Sequence, residues 1–108
     1  MARHVLLVMT NCAEGEDAEF NRWYDEVHLP EVLSVPGFVG ATRYRIDDVQ
    51  MPWEPPGTHR YLAIYEIDAD EPQAALDEFN RRARDFQFSP TLIQGRGAVR
   101  TQLFTPLG

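Results

Sequence analysis

The order of strand-like and helix-like hydrophobic patterns constrains the fold of this 108-residue chain more than any other feature. Four segments are short and rich in apolar, β-branched or aromatic residues, a composition that favours strands. These segments are His4–Met9, Phe38–Ile46, Arg60–Ile67 and Ala98–Thr105. Turn-forming residues such as Pro36 and Gly37 lie between them, so each segment predicts a separate strand.

Two other segments repeat apolar residues at the 3.6-residue period of an amphipathic helix. The apolar positions are Phe20, Trp23, Tyr24 and Val27 in the first segment, and Ala75, Leu76, Phe79, Ala83 and Phe86 in the second. Acidic residues from Glu14 to Asp17 suit the start of the first helix, and Pro72 suits the start of the second. We expect Pro30 to end the first helix or bend it near His28, because the residue before a proline is pushed out of the helical region.

The resulting order of elements is β-α-β-β-α-β. This order predicts the ferredoxin-like arrangement, an α+β fold in which two helices cover one face of a four-stranded antiparallel sheet. Residues 1–108 are expected to form a single domain, because chains divide into separate cores only beyond roughly 250 residues. Asp47–Thr58, with three prolines around Trp53, predicts a flap or mobile loop, and residues 87–96 predict a second loop.

Both faces of the predicted sheet are largely apolar. In the first strand Val5, Leu7 and Met9 alternate with His4, Leu6 and Val8, and in the third Tyr61, Ala63, Tyr65 and Ile67 alternate with Leu62, Ile64 and Glu66. The two helices can cover only one face, and the other would expose more than the few hundred Å² of apolar surface that a monomer tolerates. We therefore expect two copies of the chain to pack sheet against sheet in a homodimer.

The basic residues exclude several kinds of chemistry. All ten are arginines, so the chain has no lysine, and the net charge is −7. Without lysine the protein cannot form a Schiff base or hold a phosphate with a P-loop lysine. An acidic chain without a basic stripe is also a poor nucleic-acid binder, because neutralising phosphates supplies most of that affinity. We expect a small-molecule ligand that is not strongly anionic, and no nucleic-acid partner.

Cys12 is the only cysteine, which leaves no internal disulfide or thiolate metal cluster and favours a cytoplasmic location. Cys12 and the histidines His4, His28 and His59 lie in separate segments without the spacing of metal ligands, so no metal is expected. The longest aliphatic run, Val5–Met9, is far shorter than the ~20 residues of a membrane span. We expect no membrane anchor, no signal peptide and no cofactor.

His28 is the strongest catalytic candidate among the titratable residues. It follows Tyr24 by four positions, so the two side chains lie together at the margin of the apolar helical face. Imidazole suits proton transfer near neutral pH, and the phenol of Tyr24 could orient or tune it. A histidine near a helix end can equally serve stability, by capping carbonyls and interacting with the helix dipole. Both interpretations remain open on position alone.

Two charged residues of the predicted strands are candidates for contacts with a ligand. Arg43 shares one face of the second strand with Arg45, and its guanidinium could bind a carboxylate or an enolate. Glu66 lies between apolar residues in a central strand; if buried, it needs a partner or a raised pKa, which makes it a candidate second carboxylate. The alternative for Glu66 is pairing with an arginine across the sheet.

Aromatic residues and a second histidine complete the set of candidate binding residues. Trp53, Tyr61 and Tyr65 could line an aromatic pocket, although packing in the core or in a dimer interface explains each of them equally well. His59 ends the proline-rich loop, which could deliver it over the mouth of a pocket. The alternative is an ordinary surface histidine, since no patterned partner accompanies it.

The segment around His28 resembles a known family. Residues 20–30 (FNRWYDEVHLP) and 35–38 (VPGF) are similar to the Y-x-x-x-H-x-P…P-G-F signature of EthD-like proteins in the dimeric α/β-barrel superfamily. The similarity continues in residues 43–45 (RYR) and 61–66 (YLAIYE), so it covers about the first two thirds of the chain. The last third is similar only in the order of its elements.

The resemblance implies a small dimer with a ligand pocket between the sheet and the helices of each protomer, and with His28 pointing into that pocket. Activities in the superfamily include lactone isomerisation, polyketide cyclisation and cofactor-free oxygenation of quinol-like rings. Haem-degrading relatives use an Asn, Trp and His set drawn from separate elements. Asn21, Trp23 and His28 lie on one helix here, so the resemblance does not extend to haem.

Two functional hypotheses follow. The first is a small cofactor-independent enzyme that isomerises, cyclises or dehydrates an apolar, oxygenated molecule, such as an aromatic or polyketide-like compound. In this hypothesis His28 moves a proton next to a carbonyl, Tyr24 positions His28, and a nearby phenol or Arg43 stabilises the enolate. Cofactor-free monooxygenation is a variant in which the same enolate meets dioxygen. The second hypothesis is a non-catalytic dimer that binds a small molecule in the same pocket.

Overall fold

The computed structural model describes residues 3–108 and contains the predicted four-stranded antiparallel sheet. The strands are β1 (Arg3–Thr10), β2 (Phe38–Arg45), β3 (Tyr61–Asp68) and β4 (Arg100–Phe104). They lie in the order β2-β3-β1-β4, so the first and third strands form the centre of the sheet. This is the strand order of the ferredoxin-like fold, and the predicted fold class is confirmed.

The helices lie in two of the connections between strands. Between β1 and β2 lie α1 (Asp17–Trp23), a π-helical turn (Tyr24–His28) and α2 (Leu29–Leu33). Between β3 and β4 lie α3 (Pro72–Arg82) and a short 3₁₀ turn (Ala83–Asp85). No helix within residues 3–108 is long and apolar enough to cross a membrane.

Of the two outcomes predicted at Pro30, an end of the first helix is wrong, and the helix instead changes its geometry near His28. The segment neither ends nor breaks before this proline but continues to Leu33 through the wider π-helical turn. A proline in an α-helix lacks the N–H for its i−4 carbonyl and its ring clashes with that carbonyl. Here the N–H of Leu29 instead reaches the carbonyl of Tyr24, five residues earlier, which opens the turn just ahead of Pro30.

The core lies between the helices and one face of the sheet. On that face Tyr61, Ala63, Tyr65 and Ile67 of β3 are all buried. Phe20 of α1 packs on Tyr61 with ring centroids 5.0 Å apart. The apolar stripes of both helical segments therefore cover the same side of the sheet, as their periodicity predicted.

The other face of the sheet carries no helix in the part of the chain that the structure describes. Its side chains include Val5, Leu7 and Met9 from β1, Leu62 and Ile64 from β3, Tyr44 from β2 and Phe104 from β4. Met9, Tyr44 and Phe104 are exposed, and the others are half-buried. The expected alternation of apolar residues on both faces is therefore present, and we refer to this surface as the open face.

Candidate functional site

A cavity of about 330 Å³ lies between the sheet and the helices, on the buried side of the sheet. Its walls come from β1, β3, β4, the end of α1, the π-helical turn, α3 and the loop from residue 86 to residue 99. The lining residues are Leu6, Val8, Thr10, Trp23, Tyr24, His28, Tyr65, Phe79, Phe88, Leu92, Gln94, Gly95, Val99 and Thr101. A mostly apolar cavity of this size with a few polar groups is the usual form of a small-molecule site.

His28 lies in this cavity in a cage of aromatic rings. Its imidazole stacks on Trp23 with ring centroids 4.9 Å apart and meets the edge of Tyr24 at the same distance. Phe88 and Phe86 lie 5.8 and 6.1 Å away on the loop side. The Nδ1 atom of His28 is buried and has no hydrogen-bond partner among residues 3–108. A buried polar atom without a partner is costly. Because the imidazole also lines the cavity, a ligand bound there can contact it.

The surroundings of His28 keep its imidazole neutral. Burial, with a smaller contribution from the positive charge of Arg43, lowers the pKa of His28 to about 4. None of the fourteen cavity-lining residues of the described chain is Asp, Glu, Arg or Lys. The cavity is therefore uncharged at neutral pH, although the chain carries a net charge of −7.

Two phenols form the polar part of the cavity wall next to His28. The hydroxyl of Tyr65 donates a hydrogen bond to the hydroxyl oxygen of Tyr24, 3.2 Å away. Burial raises the pKa of both phenols, so both are protonated at neutral pH. Because Tyr24 accepts from Tyr65, its own O–H remains free to donate to a ligand oxygen.

The structure brings the predicted site residues His28, Tyr24 and Tyr65 together around the cavity but places Arg43 and Tyr61 elsewhere. Arg43 lines an open groove of about 570 Å³ between α1 and β2, where it pairs with Asp25. Tyr61 lies beside the same groove and donates to the carboxylate of Asp17 at 2.5 Å. The groove is larger than the cavity but shallow and polar, and it does not contain His28.

Three other predicted binding residues lie outside the cavity. Trp53 is 69% exposed on the loop between β2 and β3. Glu66 is on the open face, where its half-exposed side chain lies 3.7 Å from Arg3 of the neighbouring strand, which is the pairing across the sheet given above as its alternative. His59 is buried instead of lying at the surface, and its Nε2 lies 2.9 Å from the carbonyl oxygen of Gly97. This contact connects the loop between β2 and β3 to the loop between α3 and β4.

Sequence reasoning missed the part of the site that the last third of the chain supplies. Phe88, Leu92, Gln94 and Val99 line the cavity from the loop between α3 and β4. Phe79 was recognised only as an apolar position of α3, although it also reaches the cavity. The loop itself was predicted, but nothing in its own composition indicates where it folds.

Long-range hydrogen bonds hold this loop over the cavity. The indole N–H of Trp23 donates to the carbonyl of Gln87 at 2.6 Å, and the N–H of Gln87 donates to Glu31 at 2.9 Å. Further along, the N–H of Ile93 donates to the carbonyl of Asn11 at 3.0 Å. These bonds connect the loop to helical and strand-end residues that are far away in sequence, which fixes one wall of the site.

Comparison with known proteins identifies the fold. No known family profile and no curated protein sequence matches the chain. Solved structures match over nearly its whole length. An EthD family protein from Bacillus halodurans has a TM-score of 0.58 at 19% identity and covers 95% of this chain and 96% of its own. A dimeric ferredoxin-like protein of unknown function from Jannaschia has a TM-score of 0.60 at 13% identity, with coverages of 94% and 97%.

A third structure is the haem degrader MhuD from Mycobacterium tuberculosis with two haems bound in its active site. It has a TM-score of 0.62 at 19% identity, with 96% of this chain and 95% of MhuD covered. Identities this low establish architecture and leave the reaction open. The chain therefore has the ferredoxin-like fold of the EthD-like group that its sequence resembles.

Proposed function

We propose that the protein is a small enzyme that uses His28 to move a proton on an uncharged, oxygenated small molecule. The observation that carries the proposal is a neutral, unpartnered imidazole in an uncharged aromatic cavity. A neutral imidazole can accept a proton, whereas an imidazolium cannot, and a low pKa keeps it in the accepting form.

The walls of the cavity favour a flat, neutral ligand. Trp23, Phe79 and Phe88 offer ring faces and edges for stacking, and no lining side chain could neutralise a carboxylate or phosphate. Gln94 and Thr101 supply hydrogen-bonding groups from the side of the loop and β4. An aromatic or polyketide-like molecule with carbonyl and hydroxyl groups has this combination of properties.

The proposed step is proton abstraction from the carbon next to a carbonyl. His28 accepts the proton, the C–H electron pair forms a C=C bond, and the carbonyl π electrons move to oxygen to give an enolate. The hydroxyl of Tyr24 donates to that oxygen, with Tyr65 holding Tyr24 in place. Return of the proton at another carbon isomerises the molecule, while loss of a β-hydroxyl as water, or attack of the enolate carbon on a second carbonyl, gives dehydration or cyclisation.

The low pKa of His28 is compatible with this role because two charges form together. An imidazolium alone in this cavity is unfavourable, as burial shows. An enolate formed at the same time supplies the missing counter-charge in a medium of low dielectric. The base therefore becomes effective only when an acidic C–H is bound beside it.

Haem is not part of this proposal, although it is named for MhuD. Asn21 lies on the groove side, where its side-chain oxygen accepts from Arg43 at 2.8 Å and its nitrogen donates to Tyr61 at 3.4 Å. Trp23 and His28 line the cavity. The Asn, Trp and His set of haem degraders is therefore not assembled around the cavity in this chain.

We further propose that the protein is a homodimer through its open face. Leu7, Leu62 and Ile64 form a half-buried apolar centre there, with Met9 and Tyr44 exposed around it. Apolar surface of this kind on a sheet favours association. Two of the similar structures are described as dimeric ferredoxin-like proteins, which supports the same arrangement.

Deuterium exchange tests the proton-transfer role. Beta-tetralone, a neutral bicyclic ketone, is incubated with the protein in D₂O, and NMR follows exchange of the C–H groups beside its carbonyl. We expect exchange with the wild-type protein and a fall of about 100-fold or more with His28→Gln. His4→Gln is the matched control, because His4 is a buried histidine that does not line the cavity.

Equal exchange rates for the wild type and His28→Gln would contradict the proposal. Binding of the ketone without exchange, for the wild type as for the variant, would instead favour the non-catalytic binding dimer. Oxygen consumption that depends on the ketone and on His28 would identify the monooxygenase variant of the same chemistry.

A further inference from the structure

The guanidinium of Arg43 is enclosed behind the wall of the cavity. Its central carbon lies 4.2 Å from the ring centroid of Tyr24 and 5.6 Å from those of Phe20 and Tyr61. The side chain of Arg43 is only 13% exposed. A cation held this close to an aromatic face interacts strongly with the ring, especially away from water.

Two residues of the helical segment fix the orientation of this guanidinium. Its Nη1 donates to Asp25 at 3.0 Å, and its Nη2 donates to the side-chain oxygen of Asn21 at 2.8 Å. These donors bond on the groove side, and Arg43 does not line the cavity. The ring of Tyr24 thus stands between a fixed positive charge and the ligand space.

We infer that Arg43 is a positioning residue that acts through Tyr24: it holds the phenol ring in place and stabilises negative charge on a ligand oxygen bonded to the Tyr24 hydroxyl, without touching the ligand. This inference rests on the proposed function, because an oxyanion forms at Tyr24 only if the cavity binds and ionises an oxygenated molecule. It assigns Arg43 a different role from the direct clamp that its position in the sequence suggested.

The positive charge of Arg43 acts in the same direction on Tyr24 and on His28, because it lowers the pKa of both groups. A positive charge behind Tyr24 favours an anion in the cavity and opposes a cation, which is the direction in which Arg43 shifts the pKa of Tyr24 and of His28. Asp25 offsets only part of this charge, because its carboxylate is 59% exposed and therefore well hydrated.

The other groups around His28 and Tyr24 leave this effect largely unopposed. Tyr65 on β3 is the titratable neighbour from the sheet and stays neutral. Among the described residues that surround His28 from α3 and the following loop, Phe79, Phe86 and Phe88 present uncharged rings. Arg43 is therefore the charge that tunes the site.

NMR titration of His28 tests the inference without a substrate. Protein labelled with ¹⁵N in its histidines is compared as wild type, Arg43→Met and Arg43→Lys. Methionine keeps an apolar chain between the three rings but removes the charge, and lysine keeps the charge. With Arg43→Met we expect the pKa of His28 to rise by about half a unit, so that its protonated fraction at pH 5 increases two- to threefold. Arg43→Lys should stay close to the wild type.

Arg45→Gln is the matched control. Arg45 lies two residues further along the same face of β2, lines the same groove and is exposed, so the substitution removes an equal charge that does not contact Tyr24. We expect no change in the pKa of His28 in this variant. An unchanged His28 titration in Arg43→Met, or an equal change in Arg45→Gln, would overturn the inference. If Arg43→Met does not fold, Arg43→Gln replaces it.

Binding of para-nitrophenol measures the effect on an anion directly, because only its ionised form is yellow. For Arg43→Met we expect the affinity of the anion to fall about threefold relative to that of the neutral phenol. If the ratio of the two affinities does not change, as when both forms lose affinity equally, Arg43 has a merely structural role and the inference is overturned. If the wild-type protein binds neither form, the proposed function fails, and the His28 titration still decides whether Arg43 tunes the cavity.

Discussion

Mild acid should destabilise the native protein through His28, and replacing His28 with glutamine should remove this contribution. The imidazole has a pKa of about 4 in the folded protein and 6.5 as its ordinary value. Between these two values the unfolded chain binds a proton that the folded chain does not. Stability therefore falls as the pH falls through this window, and the pH dependence from His28 disappears about one unit above pH 6.5.

The size of the effect follows from the same two values. One pKa unit corresponds to about 1.4 kcal/mol, so protonation of His28 lowers the free energy of unfolding by about 3 kcal/mol once the pH is at or below 4. At pH 5 the loss is about 2 kcal/mol by the same linkage relation. The side chain is only 8% exposed, so solvent screening reduces these values little. A loss of this size is a large fraction of the stability of a small domain.

Urea unfolding at pH 7, 6, 5 and 4.5 measures this quantity, with tryptophan fluorescence as the signal. The wild type and His28→Gln are compared at one protein concentration, because association adds a concentration-dependent term. Carboxylates titrate in both proteins, and their contribution cancels in the difference. We expect the stability gap between the proteins to shift by about 2 kcal/mol in favour of His28→Gln between pH 7 and pH 5. Parallel pH profiles would refute the assignment of a neutral, desolvated imidazole.

Three further substitutions test the cavity walls and the open face. Trp23→Phe removes the N–H donated to Gln87 and should cost about 1 kcal/mol and accelerate amide exchange in the loop over the cavity; unchanged exchange there would show that other bonds hold the loop. Tyr65→Phe removes the donor to Tyr24 and should lower stability by about 1 kcal/mol while slowing ketone exchange, whereas full exchange activity would leave Tyr65 without a role. Ile64→Lys places a charge on the open face and should halve the sedimentation mass with an unchanged circular dichroism spectrum; an unchanged mass would place any dimer interface elsewhere.

The fold could be predicted because its determinants are local. Alternating and 3.6-residue patterns placed every strand and both helical segments, and β3, predicted at Arg60–Ile67, occupies Tyr61–Asp68. The fourth strand is shorter than predicted, since it spans Arg100–Phe104 and pairs with β1 from Met9 to Val5. Its ends depend on the partner strand, and a single-segment pattern does not contain that information.

The site could be predicted only where one element carries it. Tyr24 and His28 share a helical turn, and Tyr65 follows from the alternation of β3. The environment of His59, by contrast, depends on Gly97, which is 38 residues away in sequence. The wall that contains Phe88 likewise depends on hydrogen bonds between residues far apart in the chain, and no pattern within the loop encodes those partners.

The apolar pattern before Pro30 correctly predicts a helical segment, but it does not show the π-helical turn that sets the orientation of His28. At 100° per residue, Trp23 and His28 would point about 140° apart on an ideal α-helix, too far to stack. The observed stacking at 4.9 Å requires the wider turn, in which residues five apart come close to the same side. Pro30 supplies a reason for that turn, because an α-helical path would bring its ring against the carbonyl of Glu26. The proline that predicted an end or a bend of the helix near His28 is therefore better understood as the residue that rotates His28 onto Trp23 and into the cavity.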